Sequence, residues 1–329
     1  MLVTCFSITN CLKEHNWLYR TGNSLGIGSF GQVFSVEHKL DGSKYAVKKL
    51  KQTTEDNAEV KVKEAERMCH LLHRNVCRYY NAWQESGFVH IRMELCDKDL
   101  AAWIKQRNSL LFKNHETSEP YDKVLQDSWV LADSDWSRQH AGGRTSSQQT
   151  WFKGIKARGT NEFLKGVLKG VQYLHECRHL AHQDLHMKNV LLKFDAHQNA
   201  VTAKICDFGL ASTKTGNSNS AAVDDNFCKD LESVGKILVR MYYPLSGDEV
   251  CPAALLSKLQ NSSENHKKEL NPGFLQKWPD QASWIRRLLS LEEKKPSAAM
   301  MLDEGMRSES ESFPSEKYRK GREDRALRD

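Results

Sequence analysis

The hydrophobic and polar positions divide the chain into a strand-rich first part and a helix-rich second part. Over residues 24–50, short apolar runs flank a glycine-rich bend and an Asp-Gly turn, a pattern that predicts three antiparallel strands. Apolar positions at helical spacing then predict an amphipathic helix over residues 57–72, with Leu72 at the end of its apolar face. A further strand is predicted over residues 88–95 and a short helix over 99–106.

The second part contains two helical patterns separated from the first part by a polar stretch. Residues 107–158 carry Ser, Gln, Gly and mixed charges with little period, so we predict a mostly flexible insert there. Helical order is predicted to resume at Asn161, and a buried helix is predicted over residues 231–241. Residues 303–329 have almost no apolar content and are predicted to be a disordered polar tail. The predicted units are therefore an N-terminal extension over 1–16, a domain over 17–302 and the tail.

Composition narrows the class of protein. The 329 residues are 39% hydrophobic and 27% charged, and no apolar run approaches the roughly 18 residues of a membrane span. The net charge of +6 is modest and spread along the chain, which does not indicate nucleic-acid binding. The nine cysteines contain no CxxC pair, and the N-terminus lacks a basic leader region. We therefore expect reduced thiols and a cytoplasmic location.

The segment LGIGSFGQV indicates a nucleotide phosphate site. Its glycines lie between two predicted strands of a hairpin, whereas a dinucleotide fingerprint joins a strand to a helix. A flap over phosphates is therefore favoured, because glycine lets backbone N–H groups approach the phosphates closely. The residues predicted to line this part of the site are Leu25, Gly26, Gly28, Gly31 and Val33.

A lysine on the third strand is the candidate cation for these phosphates. Lys48 and Lys49 are adjacent, and strand alternation sends them to opposite faces, so only one can point inward. Lys48 is chosen for its offset behind Ala46. The following helix should offer a carboxylate to hold this lysine, and Glu64 and Glu66 compete for that role. Glu64 is favoured because it lies four residues before Met68, on the apolar side.

Two further segments supply candidate catalytic and metal-binding groups. In LAHQDLHMKNVLL, Asp184 can orient a hydroxyl group and accept its proton, and Asn189 can bind a metal ion. In KICDFGL, Asp207 follows a predicted strand and can bind magnesium that bridges the phosphates of ATP. The sequence therefore predicts ATP and Mg²⁺ as cofactors of a phosphoryl-transfer site.

With these four elements in this order, the chain resembles a protein kinase over about residues 17–302. The segments FGQVFSVEHKLDGSKYAVKKL, NVCRYYNAW and IRMELCDKDLAAWI are similar to kinases that phosphorylate the α subunit of translation initiation factor 2. The resemblance implies an α+β fold with a small antiparallel-sheet lobe over 17–95 and a mostly helical lobe over 96–302. It implies a protein substrate, with that α subunit as the candidate.

The same resemblance implies further roles for individual residues. Met93 would be the gatekeeper beside the adenine, and residues 94–96, with Glu94 and Cys96 at their ends, would be the adenine hinge. Val33, Ala46 and Leu191 would form the apolar walls around the adenine. A buried spine would be formed by His182, Phe208 and Met68.

The pattern departs from the family at the catalytic loop. Gln183 stands where an arginine usually meets an activating phosphate, and His186 stands where a lysine is expected. Lys188, four residues after Asp184, is then the candidate cation for the transferred phosphate.

The pattern departs from the family again beyond Asp207. No APE motif follows, and Lys295 replaces the arginine that pairs with that motif. An alternative hypothesis is therefore a regulatory pseudokinase similar to the kinase-like domain of ribonuclease L, which binds ATP and acts by forming a homodimer or by docking a partner.

Overall fold

The computed structural model describes residues 19–28, 31–50, 65–85, 87–113, 157–195, 200–213, 220–242, 279–290 and 295–311. These residues form two lobes, a smaller one built on a five-stranded antiparallel sheet and a larger one built mainly of helices. The predicted α+β class with two lobes is thus confirmed. None of the described helices is both long and apolar enough to cross a membrane. The predicted N-terminal extension lies outside the described residues.

The first lobe contains, in chain order, β1 (Tyr19–Ile27), β2 (Gly31–His38), β3 (Lys44–Leu50), helix α1, described as helical over 65–69, β4 (Tyr79–Glu85) and β5 (Phe88–Glu94). The strands lie in the order β1-β2-β3-β5-β4, and all neighbours are antiparallel. Three strands over residues 24–50 and the strand at residue 88 were predicted and are confirmed. Strand β4 was not predicted, because YYNAWQE has no regular alternation.

Helix α1 ends earlier than its apolar pattern predicts. The described helical residues end at Cys69, and the amide of Leu71 donates a hydrogen bond of 3.0 Å to the carbonyl of Met68 as the chain turns away. Leu71 is buried, whereas Leu72 is 74% exposed. The prediction that Leu72 belongs to the buried face is therefore wrong, because the turn breaks the helical period before it.

The second lobe contains β6 (Lys98–Asp99), α2 (Leu100–Lys113), α3 (Ala157–Gln172) with a π-helical turn (Tyr173–Cys177), β7 (Leu180–Ala181), β8 (Val190–Asp195), β9 (Ala200–Ile205), β10 (Ser212–Thr213), α4 (Ser220–Tyr242), α5 (Pro279–Leu289) and α6 (Ala298–Glu311). Two small sheets, β6-β8-β9 and β10-β7, lie beside these helices. The apolar face predicted for α3 is confirmed as buried core, formed by Phe163, Leu164, Val167, Leu168, Val171 and Leu174.

Four helices extend beyond their predicted limits. Helix α4, predicted over 231–241, runs over Ser220–Tyr242, so its predicted start is wrong. Helix α2 runs to Lys113, so the predicted start of the flexible insert at residue 107 is wrong. Helix α3 begins at Ala157, within one residue of the predicted end of the insert and four residues before the helix start predicted at Asn161. Residues 114–156 lie outside the described residues. Helix α6 runs to Glu311, so predicting disorder from residue 303 is also wrong, whereas residues 312–329 lie outside the described residues. A helix already anchored in the core gains one backbone hydrogen bond for each polar residue it adds.

The loop after α1 joins the two lobes. Asn75 is buried, its side-chain amide donates a hydrogen bond of 2.9 Å to the carbonyl of Ala203, and its own carbonyl accepts one of 2.9 Å from Ile205. A Cβ atom on Gly166 would lie 2.8 Å from the side chain of Asn75, and one on Gly170 would lie 2.9 Å from its carbonyl oxygen. The two glycines of α3 therefore let this loop pack directly against the helix.

Candidate functional site

A buried ion pair links β3 to the segment after β9. Lys48 is 5% exposed, and its Nζ atom lies 2.7 Å from Oδ1 of Asp207. The register of β3 sends Lys48 toward the core and Lys49 to the opposite face, where its ammonium lies 3.9 Å from the ring centre of Phe88. The structure thus places Lys48, and not Lys49, beside the predicted metal ligand. Glu64 lies outside the described residues, while Glu66 is exposed.

The backbone at Asp207 is held in an uncommon conformation. Its φ of 68° lies in the left-handed region, which non-glycine residues seldom occupy unless neighbouring contacts support them. On one side, Nε2 of His182 lies 2.9 Å from the carbonyl oxygen of Cys206. On the other side, the buried ring of Phe208 contacts that of His182 at a centroid distance of 5.0 Å. The two contacts fix the direction in which the Asp207 carboxylate points.

The imidazole of His182 is buried, and its surroundings favour the neutral form. Burial lowers the pKa of His182 below its ordinary value, although the carboxylates of Asp230, Asp207 and Asp184 act in the opposite direction. Burial also raises the pKa of the Cys206 thiol well above its ordinary value, and the negative charge of Asp207 adds to this effect. Burial thus favours the neutral forms of both groups behind the predicted metal ligand, and Lys48 is a buried cation that faces the Asp207 carboxylate.

The catalytic loop is anchored by a carboxylate from α4. Asp230 is 1% exposed and accepts hydrogen bonds from the backbone amides of His182, at 2.7 Å, and Gln183, at 2.8 Å. Nε2 of His175 lies 2.8 Å from the same carboxylate. Gln183 has a φ of 63°, so these contacts hold a second left-handed residue just before Asp184. The loop is thereby fixed on a helix of the larger lobe.

Asp184 and Asn189 lie together in this loop. The side-chain amide of Asn189 donates hydrogen bonds to the carbonyl of Asp184, at 2.8 Å, and to its carboxylate, at 3.3 Å. Nε2 of His186 lies 3.6 Å from the other oxygen of that carboxylate. The side chain of Lys188 is exposed. His186 is thus a basic residue beside Asp184, and the role of Lys188 at the transferred phosphate stays a prediction.

A magnesium ion fits the donor groups that remain. The amide nitrogen of Asn189 is used in hydrogen bonds, which leaves its side-chain oxygen as the atom able to bind a metal. The amide of Cys206 donates a hydrogen bond of 2.9 Å to the backbone carbonyl of Asn189, so Asp207 follows directly beside it. An amide oxygen and a carboxylate oxygen are ligands that suit Mg²⁺, which usually takes its other ligands from phosphates and water.

The glycines of the first hairpin have different surroundings. A Cβ atom on Gly31 would lie 2.2 Å from the carbonyl oxygen of Lys49, whereas one on Gly26 would meet nothing within 4 Å and one on Gly28 only the Gly31 carbonyl, at 3.9 Å. Gly31 is therefore required by the packing of β2 on β3. Gly26 and Gly28 face open space, as does Leu25, which is 50% exposed. This is the arrangement expected of a flap that receives a ligand.

The predicted adenine walls belong to one apolar cluster. Ala46 and Met93 are paired across β3 and β5 and are buried, and Val33 and Leu191 pack against the same core. The walls therefore come from both lobes.

The predicted hinge is fixed by two lysines of the larger lobe. Lys204 forms a 2.7 Å ion pair with the carboxylate of Glu94, and Lys193 donates a hydrogen bond of 2.6 Å to the carbonyl of Leu95. The side chain of Glu94 is thus used to hold the hinge in place. Cys96, at the end of this hinge, is half-buried and carries a free thiol, like the other cysteines in the described ranges.

Comparison with known proteins identifies the family. The protein tyrosine and serine/threonine kinase family matches residues 19–229, which is more than half of the chain. The chain belongs to this kinase family.

Several curated kinases are similar in sequence. The interferon-induced, double-stranded RNA-activated protein kinase of Mus musculus is 27% identical over 213 residues, covering 60% of this chain and 31% of the mouse protein. The eIF-2-alpha kinase GCN2 of Arabidopsis thaliana is 26% identical over 320 residues, covering 84% of this chain and 24% of the plant protein. The membrane-associated tyrosine- and threonine-specific cdc2-inhibitory kinase wee-1.3 of Caenorhabditis elegans is 31% identical over 105 residues, covering 31% of this chain and 15% of the worm protein. The kinase chain thus corresponds to less than half of the length of each.

Gln183 and Lys295, which stand where the family usually has arginines, each form local hydrogen bonds in this kinase. The side chain of Gln183 donates a hydrogen bond to the hydroxyl of Ser212, at the start of β10, where β10 pairs with β7. Lys295 donates hydrogen bonds to the carbonyls of Leu288, at 2.9 Å, and Ser290, at 3.0 Å, at the end of α5. Gln183 therefore ties the segment after Asp207 to the catalytic loop without a phosphate, and Lys295 caps a helix.

Sequence reasoning missed three contacts that hold the kinase site together. They are the contact of His175 with Asp230, the ion pair of Lys204 with Glu94, and hydrogen bonds from Arg67 to the carbonyls of Phe208 and Gly209. Each joins residues far apart in sequence, so no local pattern indicates it. The one available signal was the spacing of Arg67, which lies three residues after Glu64 and hence on the same side of a helix.

Proposed function

We propose that this chain is a cytoplasmic serine/threonine protein kinase that uses ATP and Mg²⁺, with the α subunit of translation initiation factor 2 as its candidate substrate. The observation that carries the proposal is a continuous set of contacts from Lys48 to Asp184. Lys48 forms an ion pair with Asp207. The amide of Cys206, which precedes Asp207, donates a hydrogen bond to the carbonyl of Asn189, and the side-chain amide of Asn189 donates one to the carboxylate of Asp184. The substrate class is supported by the names of the two relatives described above and by the three segments shared with that family.

In the proposed reaction, four residues of the site bind the nucleotide, the metal ion and the substrate hydroxyl. Lys48 neutralises charge on the nucleotide phosphates, and Asn189 and Asp207 hold the metal ion. When bound, the ion screens the charge that develops on the phosphates. Asp184 orients the substrate hydroxyl and accepts its proton as the oxygen attacks the terminal phosphorus. The bond from that phosphorus to the bridging oxygen breaks, and ADP leaves with the bonding electrons.

A second candidate function is a nucleotide-binding pseudokinase. The observation that favours it is the environment of Asp184, where the ring of His186 lies 3.6 Å from the carboxylate and the Lys188 side chain is exposed. A permanent cation at the transferred phosphate stabilises the transition state, and a single lost contact of this kind costs about 10²- to 10³-fold in rate. Such a chain would keep the nucleotide and metal groups and would act through a homodimer or a docked partner.

Transfer of labelled phosphate tests the proposal directly. We expect the purified chain to label the initiation-factor subunit from γ-labelled ATP, and Asp184→Asn to reduce the rate by at least about 10²-fold. The matched control is Asp225→Asn on α4, where the wild-type carboxylate is exposed and paired with Lys229, and we expect no change in rate. Nucleotide binding without transfer to this or to a generic substrate would reject the kinase proposal and leave the pseudokinase.

A further inference from the structure

Arg67 reaches from helix α1 to the backbone beside the metal ligand. It is half-buried, between the buried residues Ala65 and Met68, and its Nη1 atom donates hydrogen bonds to the carbonyls of Phe208, at 3.3 Å, and Gly209, at 3.2 Å. A guanidinium group is always charged and presents several N–H donors in one plane, so it can hold two carbonyl oxygens at once. A half-buried arginine on this helix face is thus used to bind backbone in the other lobe.

The two carbonyls that Arg67 binds, those of Phe208 and Gly209, directly follow Asp207, whose backbone is in an uncommon conformation. Asp207 has a φ of 68°, and its carboxylate is drawn to Lys48 at 2.7 Å. The carbonyl before it is held by His182 at 2.9 Å. Within the described parts of the chain, the carbonyl of Phe208 accepts hydrogen bonds from the Ala211 amide, at 3.2 Å, and from Arg67. Arg67 therefore supplies the charged contact on the far side of the left-handed residue.

We propose that Arg67 is a positioning residue that keeps Asp207 in its metal-binding conformation and couples the position of α1 to the metal site. Without the guanidinium group, the Phe208 carbonyl would keep its bond from the Ala211 amide but lose its charged partner, and the Gly209 carbonyl would lose the bond from Arg67. The segment after Asp207 would then be less restrained, and we expect the Asp207 carboxylate to depart more often from its position beside Lys48. Both of these Arg67 bonds go to backbone, so Arg67 would act on the metal site through the position of Asp207. The inference deepens the nucleotide site of the proposed function and rests on it.

Nucleotide affinity measured with and without Mg²⁺ tests the inference. In Arg67→Met, which keeps the apolar stem and the helix propensity, we expect the gain in ATP affinity from Mg²⁺ to fall about tenfold, while the affinity in EDTA stays within about twofold. Arg67→Lys, which keeps a cation with several donors, should recover part of that gain. The control is Arg74→Met, at an exposed arginine in the loop after α1, which should match the wild type.

Amide hydrogen exchange without nucleotide provides a second readout. We expect exchange at the Ala211 amide, which bonds the same carbonyl as Arg67, to accelerate about tenfold in Arg67→Met but not in Arg74→Met. Unchanged exchange in Arg67→Met, or equal loss of affinity with and without Mg²⁺, would overturn the inference. If Arg67→Met does not fold, wild-type behaviour of Arg67→Gln would overturn it instead. A wild-type chain that binds no nucleotide, together with the exchange difference, would reject the proposed function and leave the positioning role intact.

Discussion

At the scale of single residues, the two lysines of β3 differ only in the face on which they lie. Lys48 is buried against Asp207, whereas Lys49 lies over the ring of Phe88 on the outer face of the sheet. Burying an ammonium group is costly unless an anion compensates it, and Asp207 supplies such an anion here. In the proposed site, the nucleotide phosphates would be a second anionic partner of Lys48. The inner lysine is therefore the one whose removal should affect ligand binding.

Methionine substitutions at these two positions form a matched pair. We expect Lys48→Met to weaken Mg·ATP binding by at least about tenfold, because the nucleotide phosphates lose a charge-assisted contact in a buried setting. Lys49→Met should leave affinity unchanged and reduce the free energy of unfolding by about 0.5–1 kcal/mol through the lost cation–π contact. Calorimetric titration with Mg·ATP and urea denaturation measure the two effects. Equal loss of affinity in both variants would contradict the assignment of faces.

The buried His182 should make the stability of the kinase depend on pH. Burial lowers its pKa in the folded state below the ordinary value of about 6.5, so the unfolded state binds the additional proton first as the pH falls. The stabilisation is complete above about pH 6.5 and is lost on acidification toward the folded-state pKa, with a slope of at most about 1.4 kcal/mol per pH unit. Urea denaturation between pH 7.5 and 5.5 measures this slope.

His182→Asn is the variant that isolates this effect. It removes the titrating ring and should flatten the slope even though its absolute stability is lower. His73, whose pKa burial also lowers, contributes in the same direction, so His73→Gln should flatten the slope further in the double variant. A slope that is unchanged in His182→Asn would show that other groups cause the pH dependence.

At the scale of elements, the first hairpin combines a glycine required by packing with glycines that face open space. Gly31 lies where β2 crosses close to the backbone of β3, and a Cβ atom there would overlap the carbonyl of Lys49. No such neighbour exists for Gly26 within 4 Å. Packing thus explains the glycine at position 31, whereas a need for glycine at position 26 would have to come from the ligand, and the sequence motif alone does not separate the two.

Alanine substitutions should separate the two roles. Gly31→Ala is expected to lower the free energy of unfolding by about 1–3 kcal/mol, because backbone atoms of two strands must move apart. Gly26→Ala is expected to leave stability within about 1 kcal/mol of the wild type and to weaken ATP binding, because its Cβ atom occupies space used by the phosphates. Thermal unfolding with and without nucleotide measures both. Wild-type ATP affinity in Gly26→Ala would contradict a flap closed over phosphates.

At the scale of the whole molecule, the sequence predicted the elements with strong local patterns. The first hairpin, the strand containing Lys48 and the buried faces of α3 and α4 follow from alternation, turn residues and helical spacing. Strand β4 and the ends of α2 and α6 were missed, since packing against distant residues extends them beyond any local signal. The ion pair of Arg287 with Glu304, at 2.7 Å, shows how a tail rich in charge is held as helix.

The candidate site was predictable where motif and strand face agree, as for Lys48, Asp184, Asn189 and Asp207. The site was not predictable where a side-chain contact depends on the three-dimensional path of the backbone. His186 lies 3.6 Å from the Asp184 carboxylate and caps the 3₁₀ turn Met187–Asn189, and no period in the sequence encodes that turn. The contacts of Arg67 depend in the same way on how the two lobes meet.

The joining of the lobes through Asn75 gives a prediction for the whole molecule. Asn75→Ala removes the donor to the carbonyl of Ala203 and opens a gap against α3, which should lower the free energy of unfolding by about 2–3 kcal/mol. Because this loop carries the contacts between the sheet lobe and β9, the variant should also lose cooperativity, and the sheet lobe should unfold at a lower urea concentration than the helical lobe. Amide exchange along the urea series measures each lobe separately.

The control is Asn23→Ala, at an exposed position of β1, which should unfold in one transition like the wild type. A single transition in Asn75→Ala would contradict the role assigned to this loop.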